Sequence, residues 1–308
     1  MNTRQHIHWQ STTEFPYILN LDEDFSPCSN GVELSHKKFD FKGGEPHLQI
    51  TSTLEYTSQS HLIITQRYNK IIDLFDIILA NDAARRIGFR NIKLVLPYFP
   101  AARQDRVCNA GEPLTIKVFA DMINSCGFDE VVILCPHSEV TPALINNVTV
   151  LDELKYVDLV IDSLDKSSRN INIICPDAGA GKRVNKIVQH LSHNNGHVNF
   201  KLIRCEKIRD VKDGSIKEFF VDADDLGGHP SILFDDVCSL GGTFIGLGKK
   251  LKDRNCGRLM LYTTHMDCVE GLDNMVNFFD HFYTTNSKKN WGELSFLPTK
   301  STCFNIVL

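Results

Sequence analysis

Short apolar runs bounded by turn residues recur along the chain and set its pattern. Those that predict buried strands are YILNL (17–21), HLIIT (61–65), IKLVL (92–96), VVILC (131–135), INIIC (171–175), SILF (231–234) and RLMLYTT (258–264). Segments with a helical period lie between several of these strands. They predict helices over residues 69–88, 113–126, 182–193 and 243–253. Such alternation of strand and helix favours parallel sheets covered by helices on both faces.

The first predicted helix shows how the pattern works. Ile71, Phe75, Ile78 and Leu79 share one face of it, and Gly88 can end it. The whole pattern runs twice, with a seam near residues 151–160, so we expect two α/β domains, 1–155 and 156–308. No low-complexity segment or long linker separates them, and the C-terminal tail can pack on either.

Composition and charge narrow the class of protein. The 308 residues are 42% hydrophobic and 23% charged, enough apolar material for about two domains. The net charge of -5 disfavours a polyanionic partner such as nucleic acid. No apolar run approaches the ~20 residues of a membrane helix, and the first ten residues are polar. The sequence therefore predicts a soluble, cytoplasmic protein with neither a nucleic acid nor a membrane as partner.

The ten cysteines do not predict a disulfide framework. They are scattered from Cys28 to Cys303 without a CxxC pair, and Cys135 and Cys175 lie inside apolar runs. We expect reduced and mostly buried thiols, ahead of zinc or redox chemistry.

Two adjacent carboxylates and a glycine loop follow the run SILF. Asp235 and Asp236 stand where that predicted strand ends, and Thr243 opens the next predicted helix. In an open parallel sheet, ligands bind beyond the carboxyl ends of the strands. Loop N–H groups, the helix N-terminus and the hydroxyls of Ser239 and Thr243 suit a phosphate, and the acids suit sugar hydroxyls. The alternative is a glycine turn with solvated acids.

Asp177 follows another predicted strand, INIIC, in the segment CPDAGAGKRV. Its GAGK does not fit GxxxxGK[ST], because that spacing needs glycine at Pro176 and a hydroxyl at Arg183. Asp177 can bind a metal, face a sugar or cap a helix, and the residues leave these choices open.

Three further segments carry charge at predicted strand ends or in loops. Arg103 and Arg106 flank a Gln-Asp pair after IKLVL and suit either a polyphosphate or a surface ion-pair cluster. His137, after VVILC, is alone more typical of a structural residue than of a ligand. The stretch CEKIRDVKDGS (205–215) predicts a solvated hairpin or a mobile lid carrying Lys207 and Arg209.

Taken together, these segments resemble the ribose-phosphate pyrophosphokinase family, which makes phosphoribosyl pyrophosphate (PRPP). LPYFPAARQDR is similar to the family's nucleotide segment PYxxYARQDR, and GEPLTIKVFADMINSCG resembles its PITAKxxANLL helix. CPDAGAGKRV is similar to SPDxGGxKR, CEKIRD to the flexible-loop KxR, and LFDDVCSLGGT to the ribose-phosphate loop DDxxDTxGT. The five occur in the family's order, and the match as a whole runs from about residue 39 to residue 287. They imply two phosphoribosyltransferase-like domains, each a parallel β-sheet flanked by helices.

The resemblance also implies a role for each matching residue. Those implied to bind ATP are Phe41, which would stack on adenine, Gly43, Glu45, Arg103, Gln104 and Asp105. Those implied to bind ribose 5-phosphate are Asp235, Asp236, Ser239, Leu240, Gly241, Gly242 and Thr243. Lys207 and Arg209 would be the catalytic pair, and His137 and Asp177 would help to hold Mg²⁺.

The implied enzyme is a ribose-phosphate diphosphokinase that serves nucleotide biosynthesis. It would transfer the β,γ-diphosphoryl group of Mg-ATP to the anomeric hydroxyl of ribose 5-phosphate, giving PRPP and AMP, and a homo-oligomer, dimer or hexamer, is expected. Two alternatives stay open: a phosphoribosyltransferase, which would use the same loop, and a silent regulatory subunit, whose expected mark is damage to the KxR pair. Lys207 and Arg209 are intact.

Four positions depart from the family's pattern. Gly43 stands in place of Asp or Asn beside the implied adenine site. Cys135 stands in place of an Asp two residues before His137. Ser239 and Leu240 replace Asp-Thr in the phosphate loop, which makes this loop more similar to the phosphoribosyltransferase form.

Overall fold

The chain folds into two compact units. The computed structural model describes residues 15–53, 59–165, 168–209, 216–267, 271–291 and 300–308. Unit 1 consists of Met1–Leu151 together with the short segments Ser287–Lys289 and Asn305–Leu308. Unit 2 consists of Asp152–Asn286 and Asn290–Phe304. The C-terminal part of the chain thus contributes to both units.

Unit 1 is built on a six-stranded parallel sheet in the order β2-β1-β5-β6-β7-β8. Its strands are β1 (Tyr17–Asn20), β2 (Val32–Glu33), β5 (His61–Thr65), β6 (Asn91–Val95), β7 (Glu130–Leu134) and β8 (Val148–Leu151). A separate antiparallel hairpin joins β3 (His36–Asp40) to β4 (Pro46–Ile50). The helices are α1 (Ile71–Ile87), α2 (Thr115–Ser125) and the short α3 (Val140–Leu144).

Helix α1 ends as predicted but packs on a different face. Gly88 has a φ of 118° and its N–H donates to the carbonyls of the last turn, which is the expected glycine C-cap. Leu74 and Ile77 are fully buried, whereas Ile71 is 61% and Phe75 42% exposed. The predicted face was therefore wrong at Ile71 and Phe75, while Ile78 and Leu79 are half-buried and pack against the core. Ala80 and Ala84 continue the face of Leu74, and their small side chains allow the helix to pack closely.

Unit 2 contains a seven-stranded sheet in the order β11-β10-β9-β12-β13-β14-β15. Every neighbouring pair is parallel except the antiparallel pair β10–β11. The strands are β9 (Asn170–Cys175), β10 (Asn199–Arg209), β11 (Ile216–Val221), β12 (Ser231–Cys238), β13 (Leu259–Met266), β14 (His281–Thr285) and β15 (Lys300–Phe304). The helices are α4 (Leu154–Asp162), α5 (Gly181–Asn194), α6 (Gly242–Lys252) and α7 (Leu272–Met275).

The central strands of unit 2 are apolar because both of their faces are covered. All eight residues of β13 are buried, and β9 is buried over its last five residues. The predicted α/β class with helix-flanked parallel sheets is confirmed. Within the described ranges, no helix is long and apolar enough to cross a membrane.

The cysteines of the described ranges are free thiols. Those that are buried are Cys126, Cys135, Cys175, Cys205 and Cys238. Burial raises the pKa of Cys205 to about 12, so this thiol stays protonated at neutral pH. The expectation of reduced thiols agrees with this arrangement.

Candidate active site

The carboxyl-terminal edge of the unit 2 sheet collects the predicted site residues of this unit. Strands β9, β12 and β13 run parallel, so the segments that follow them emerge at one edge. The turn after β9 contains Asp177, and the end of β10 contains Lys207. The loop after β12 leads into α6 at Gly242. This edge is the place where a ligand of the unit is expected.

Strand β12 is longer than the sequence pattern predicted. It pairs with β13 as far as Cys238, with Asp235 opposite Thr263 and Cys238 opposite Met266. The acidic doublet Asp235–Asp236 therefore lies inside the strand, and the expected strand end at Phe234 was wrong. The apolar pattern missed the extension because a carboxylate at a sheet edge can point into a polar site.

Gly241 is required by the shape of the loop that follows β12. Its φ of 74° is left-handed, and a Cβ at this position would lie 2.9 Å from Sδ of Met275. The N–H groups of the first turn of α6 have no acceptor inside the helix. Thr243 is part of that turn and half-buried, while Leu240 is 76% exposed. Loop and helix together can bind an anion such as a phosphate.

The two carboxylates of the doublet have different surroundings. Asp236 is 5% exposed, and its Oδ1 lies 3.2 Å from Nη1 of Arg183. Asp235 is half-buried and accepts the backbone N–H of Asp236 at 2.9 Å. Burial raises the pKa of Asp235, and the charge and a hydrogen bond of Asp236 raise it further, while Arg183 lowers it. The doublet therefore holds a proton more readily than two separate carboxylates.

Asp177 and Lys207 form an ion pair at the same edge. Nζ of Lys207 lies 2.5 Å from Oδ2 of Asp177, and Oδ1 accepts the N–H of Ala180 at 3.0 Å. Burial raises the pKa of Asp177, but Lys207 and the N–H groups of Ala180 and Gly179 outweigh it, so the pKa is lowered overall. Gly179 allows this turn, since a Cβ there would be 3.2 Å from Oδ1. Asp177 is thus ionised at neutral pH.

The charged stretch that carries Lys207 forms a β-hairpin over its described part. Strand β10 ends at Arg209, pairs antiparallel with β11, and shows a register shift between Ile208 and Arg209. Residues 210–215, which complete this stretch, and the side chain of the predicted catalytic Arg209 lie outside the described part of the chain. The hairpin thus brings Lys207 to Asp177.

In unit 1, Phe41 stands in the tight turn of the β3–β4 hairpin. Its N–H donates to the carbonyl of Glu45 at 2.9 Å, and the N–H of Gly44 donates back to Phe41 at 2.8 Å. The ring is 54% exposed and lies 5.3 Å from that of Phe39 and 5.6 Å from that of His47. An exposed aromatic cluster of this kind offers a planar base a surface to stack on.

The other predicted residues of unit 1 follow β6 and β7. Arg103 and Gln104 are exposed, and Asp105 is half-buried and 3.9 Å from Nε of Arg106. Gly43, in the β3–β4 turn, lies beside Glu45, because a Cβ at this position would be in ordinary contact with the Glu45 carboxylate at 3.6 Å. His137 is exposed three residues after the end of β7. These side chains are accessible to a ligand of unit 1.

The donor set suits a magnesium ion that is held mostly by its substrate. In the described residues, no group of three or more His, Cys, Asp or Glu side chains is placed to hold a metal ion. Mg²⁺ commonly takes one or two carboxylates of the protein together with substrate phosphates and water. The ionised Asp177 fits that requirement, while the nitrogen of His137 is a weaker match for this cation.

Sequence reasoning missed a buried group of charges behind the doublet. Arg183 and Glu153 pair at 3.5 Å between Nε and Oε1, and Thr264 donates from Oγ1 to Oε2 of Glu153 at 2.7 Å. Arg183 lies in the motif CPDAGAGKRV, but the motif alone does not show which carboxylates its side chain meets. The sequence offered no reason to select Glu153, because this residue directly precedes an ordinary amphipathic helix.

Comparison with known sequences points to one family. A sequence model of the N-terminal domain of ribose phosphate pyrophosphokinase matches residues 30–127. The chain is 32% identical to a ribose-phosphate pyrophosphokinase of Pasteurella multocida over 73% of this chain and 69% of that protein. It is 25% identical to one of Pyrococcus abyssi over 84% of this chain and 85% of that protein. With one of Marinomonas sp. it shares 29% identity over 66% of this chain and 64% of that protein.

The fold is likewise similar to a solved structure. The crystal structure of phosphoribosylpyrophosphate synthetase from Mycobacterium smegmatis matches with a TM-score of 0.76. The match covers 94% of this chain and 95% of that chain at 18% sequence identity. At this identity the likeness establishes the shared fold, and it confirms the fold class predicted from the sequence.

Proposed function

The chain belongs to the ribose-phosphate pyrophosphokinase family, and from this premise we propose that it converts ATP and ribose 5-phosphate to PRPP and AMP. The observation that carries the proposal is the end of β12 together with the loop that follows it. There, the acidic doublet Asp235–Asp236, the left-handed Gly241 and the open N-terminus of α6 follow one another at a sheet edge. This combination offers acceptors for sugar hydroxyls next to donors for a phosphate.

The reaction is one displacement at phosphorus. The anomeric oxygen of ribose 5-phosphate forms a bond to the β-phosphorus of ATP, and the bond from that phosphorus to the α,β-bridging oxygen breaks. The electron pair of the broken bond leaves with AMP, and the hydroxyl proton passes to solvent. Positioning and charge stabilisation carry such reactions, because the protein forms no covalent bond.

In this proposal unit 2 binds the sugar phosphate. The N–H groups at the start of α6 and the hydroxyls of Ser239 and Thr243 donate to the 5-phosphate. Gly241 makes the left-handed turn that leads into α6, and the space around Gly242 is open. Asp235 and Asp236 orient the ribose hydroxyls. The exposed Leu240 contributes its backbone alone, because its side chain has no polar atom.

Lys207 supplies positive charge to the transferred group. It reaches the sheet edge from β10 and lies at Asp177, so it leaves this carboxylate when it moves to the phosphates. Arg209 acts with it as the second cation of the pair. Asp177 and His137 would hold Mg²⁺, which when bound neutralises charge on the phosphate oxygens.

ATP binds through residues of unit 1 in this proposal. Phe41 stacks on adenine from its exposed turn, with Gly43 and Glu45 beside the base. Arg103 and Gln104 donate to the phosphates, and a guanidinium suits two phosphate oxygens at once. Asp105 lies next to them in the same loop.

The product decides whether the proposed activity is right. We expect purified protein with ATP, ribose 5-phosphate and a divalent cation to release AMP and PRPP in equal amounts, measured by anion-exchange chromatography. A chelator should abolish the turnover. Release of ADP would instead show transfer of a single phosphoryl group and would overturn the diphosphoryl mechanism. Consumption of added PRPP with a nitrogenous base would favour a phosphoribosyltransferase, and no turnover would favour a silent subunit.

Thr243→Ala is expected to raise the KM for ribose 5-phosphate roughly ten-fold or more. Removing a donor to a charged group costs about 1.5–3 kcal/mol when nothing replaces it. The KM for ATP should stay nearly unchanged, and it serves as the internal control when each substrate is varied in turn. If Thr243→Ala raised the KM for ATP and left the KM for ribose 5-phosphate unchanged, the assignments of the two substrate sites would have to be exchanged.

A further inference from the structure

Asp236 belongs to a series of buried polar side chains that contact one another in sequence. The series runs from Asp236 to Arg183 at 3.2 Å, from Arg183 to Glu153 at 3.5 Å, and from Glu153 to Thr264 at 2.7 Å. Tyr262 extends it, since its hydroxyl lies 3.3 Å from Oγ1 of Thr264. Four elements of unit 2 meet here: the start of α4, the first turn of α5, and strands β12 and β13.

The linked side chains are largely buried, and burial limits the orientations that they can adopt. Glu153 and Asp236 are 6% and 5% exposed, and the Arg183 side chain is 16% exposed. Two buried carboxylates share one guanidinium, so removing Arg183 takes this cation from both of them at once. Breaking a buried ion pair by removing one partner is far more disruptive than breaking a surface pair. The planar guanidinium turns Nε toward Glu153 and Nη1 toward Asp236, and the contact of Nη1 with Asp236 is an ion pair without hydrogen-bond geometry.

Alternation along β12 starts the two acids of the doublet on opposite faces of the sheet, although their side chains still hydrogen-bond to each other. Neighbouring residues of a strand point to opposite faces of the sheet. Asp236 and Thr264 are therefore on the face where Arg183 and Glu153 lie, and Asp235 starts from the other face, next to Thr263 in β13. Arg183 contacts Asp236 directly but contributes to Asp235 only through its charge. The two carboxylates are thus held in unequal positions.

We propose that Arg183 is a positioning residue, which fixes Asp236 in the orientation that receives the sugar, and that Glu153 fixes Arg183 in turn. This inference rests on the proposed ribose 5-phosphate site. Arg183 touches no substrate; it acts through Asp236. The motif CPDAGAGKRV thus has two tasks, since Asp177 and Arg183 serve different neighbours.

A double-mutant cycle tests the coupling between Arg183 and Asp236. Calorimetric titration with ribose 5-phosphate gives the Kd of the wild type, Arg183→Met, Asp236→Asn and the double variant. We expect each single variant to bind roughly ten-fold or more weakly. The double variant should bind no more weakly than Asp236→Asn alone, because both changes remove one function. If the loss of affinity in the double variant equalled the product of the two single losses, Arg183 would act independently of Asp236. That result would overturn the proposal.

Further measurements separate positioning from a purely structural role. Arg183→Lys retains the charge without the fork and should recover part of the lost affinity. The Kd for ATP should not change in any variant. Lys252→Met is the matched control, because Lys252 pairs with Asp280 at 2.9 Å at the far end of α6. It should leave the sugar affinity unchanged although it also removes an ion pair from unit 2.

The outcomes distinguish this inference from the function it rests on. If Arg183→Met unfolds at lower denaturant concentration but binds ribose 5-phosphate normally, the residue is structural and the positioning role is wrong. If the variant does not fold, Glu153→Gln and Arg183→Lys take its place in the cycle, and normal sugar affinity in both overturns the role. A wild type that binds no ribose 5-phosphate overturns the proposed function, and the positioning role with it.

Discussion

Lys207→Ala is expected to lower kcat about 10²–10³-fold while changing the KM values for ATP and ribose 5-phosphate much less. A cation that acts on charge developing in the transition state contributes to kcat rather than to substrate binding. The structure adds a second reason, because Nζ of Lys207 pairs with Oδ2 of Asp177 at 2.5 Å. Its interaction with phosphate must replace that ion pair, so little net binding energy is available to the ground state. Steady-state kinetics with AMP as the measured product tests whether kcat falls while the two KM values change little.

Lys201→Ala is the matched control for this experiment. Lys201 belongs to the same strand, β10, and is exposed six positions before Lys207, on the same face of the strand. Its removal should leave kcat unchanged. If Lys207→Ala kept a nearly normal kcat, the β10–β11 hairpin would be a solvated surface feature and the catalytic assignment would be lost.

Gly241→Val is expected to abolish measurable binding of ribose 5-phosphate at concentrations that saturate the wild type. A β-branched residue at φ 74° is strained by about 1–3 kcal/mol, and overpacking against Met275 adds a similar amount. The loop can relieve this strain only by changing its backbone, which moves the N–H groups of α6 away from the phosphate. Calorimetric titration with ribose 5-phosphate measures the loss.

Gly127→Val separates strain from function. Gly127 also has a positive φ, 62°, but it lies in unit 1 after α2. It should lose stability from the same backbone strain and retain its affinity for ribose 5-phosphate. Equal loss of sugar affinity in both variants would mean that general destabilisation, and not the shape of the loop, explains the effect.

The sequence pattern predicted the central strands and long helices because both follow from covered apolar surface. HLIIT (61–65) matches β5 residue for residue, and the helix predicted over 182–193 is α5, Gly181–Asn194. The pattern failed where apolar periodicity is weak. Strands β3 and β4 are largely polar because they form a hairpin outside the main sheet. Strand β14, HFYTT, is buried, but its sequence carries too few aliphatic residues to stand out.

The candidate site could be predicted in position but not in its supporting contacts. Strand ends and glycines mark the loop around Gly241 in the sequence, since parallel topology fixes where such loops emerge. The partner of Asp236 could not be predicted, because Glu153, Arg183 and Asp236 belong to different elements and no periodicity links them. The same limit applies to helix α1, where Leu74 rather than Phe75 faces the core. Such choices depend on tertiary packing.

Unit 1 combines the first 151 residues with two short segments near the C-terminus, and this affects how it folds during synthesis. The N–H of Leu308 donates to the carbonyl of Pro27 at 2.9 Å, and Ile306 is 1% exposed within the same unit. On the ribosome, residues 305–308 emerge only after all of unit 2. The first unit to be translated therefore cannot complete its contacts while it is the only part outside the exit tunnel. It waits with an apolar surface uncovered, and chaperone binding to nascent chains should last until the second unit has been made.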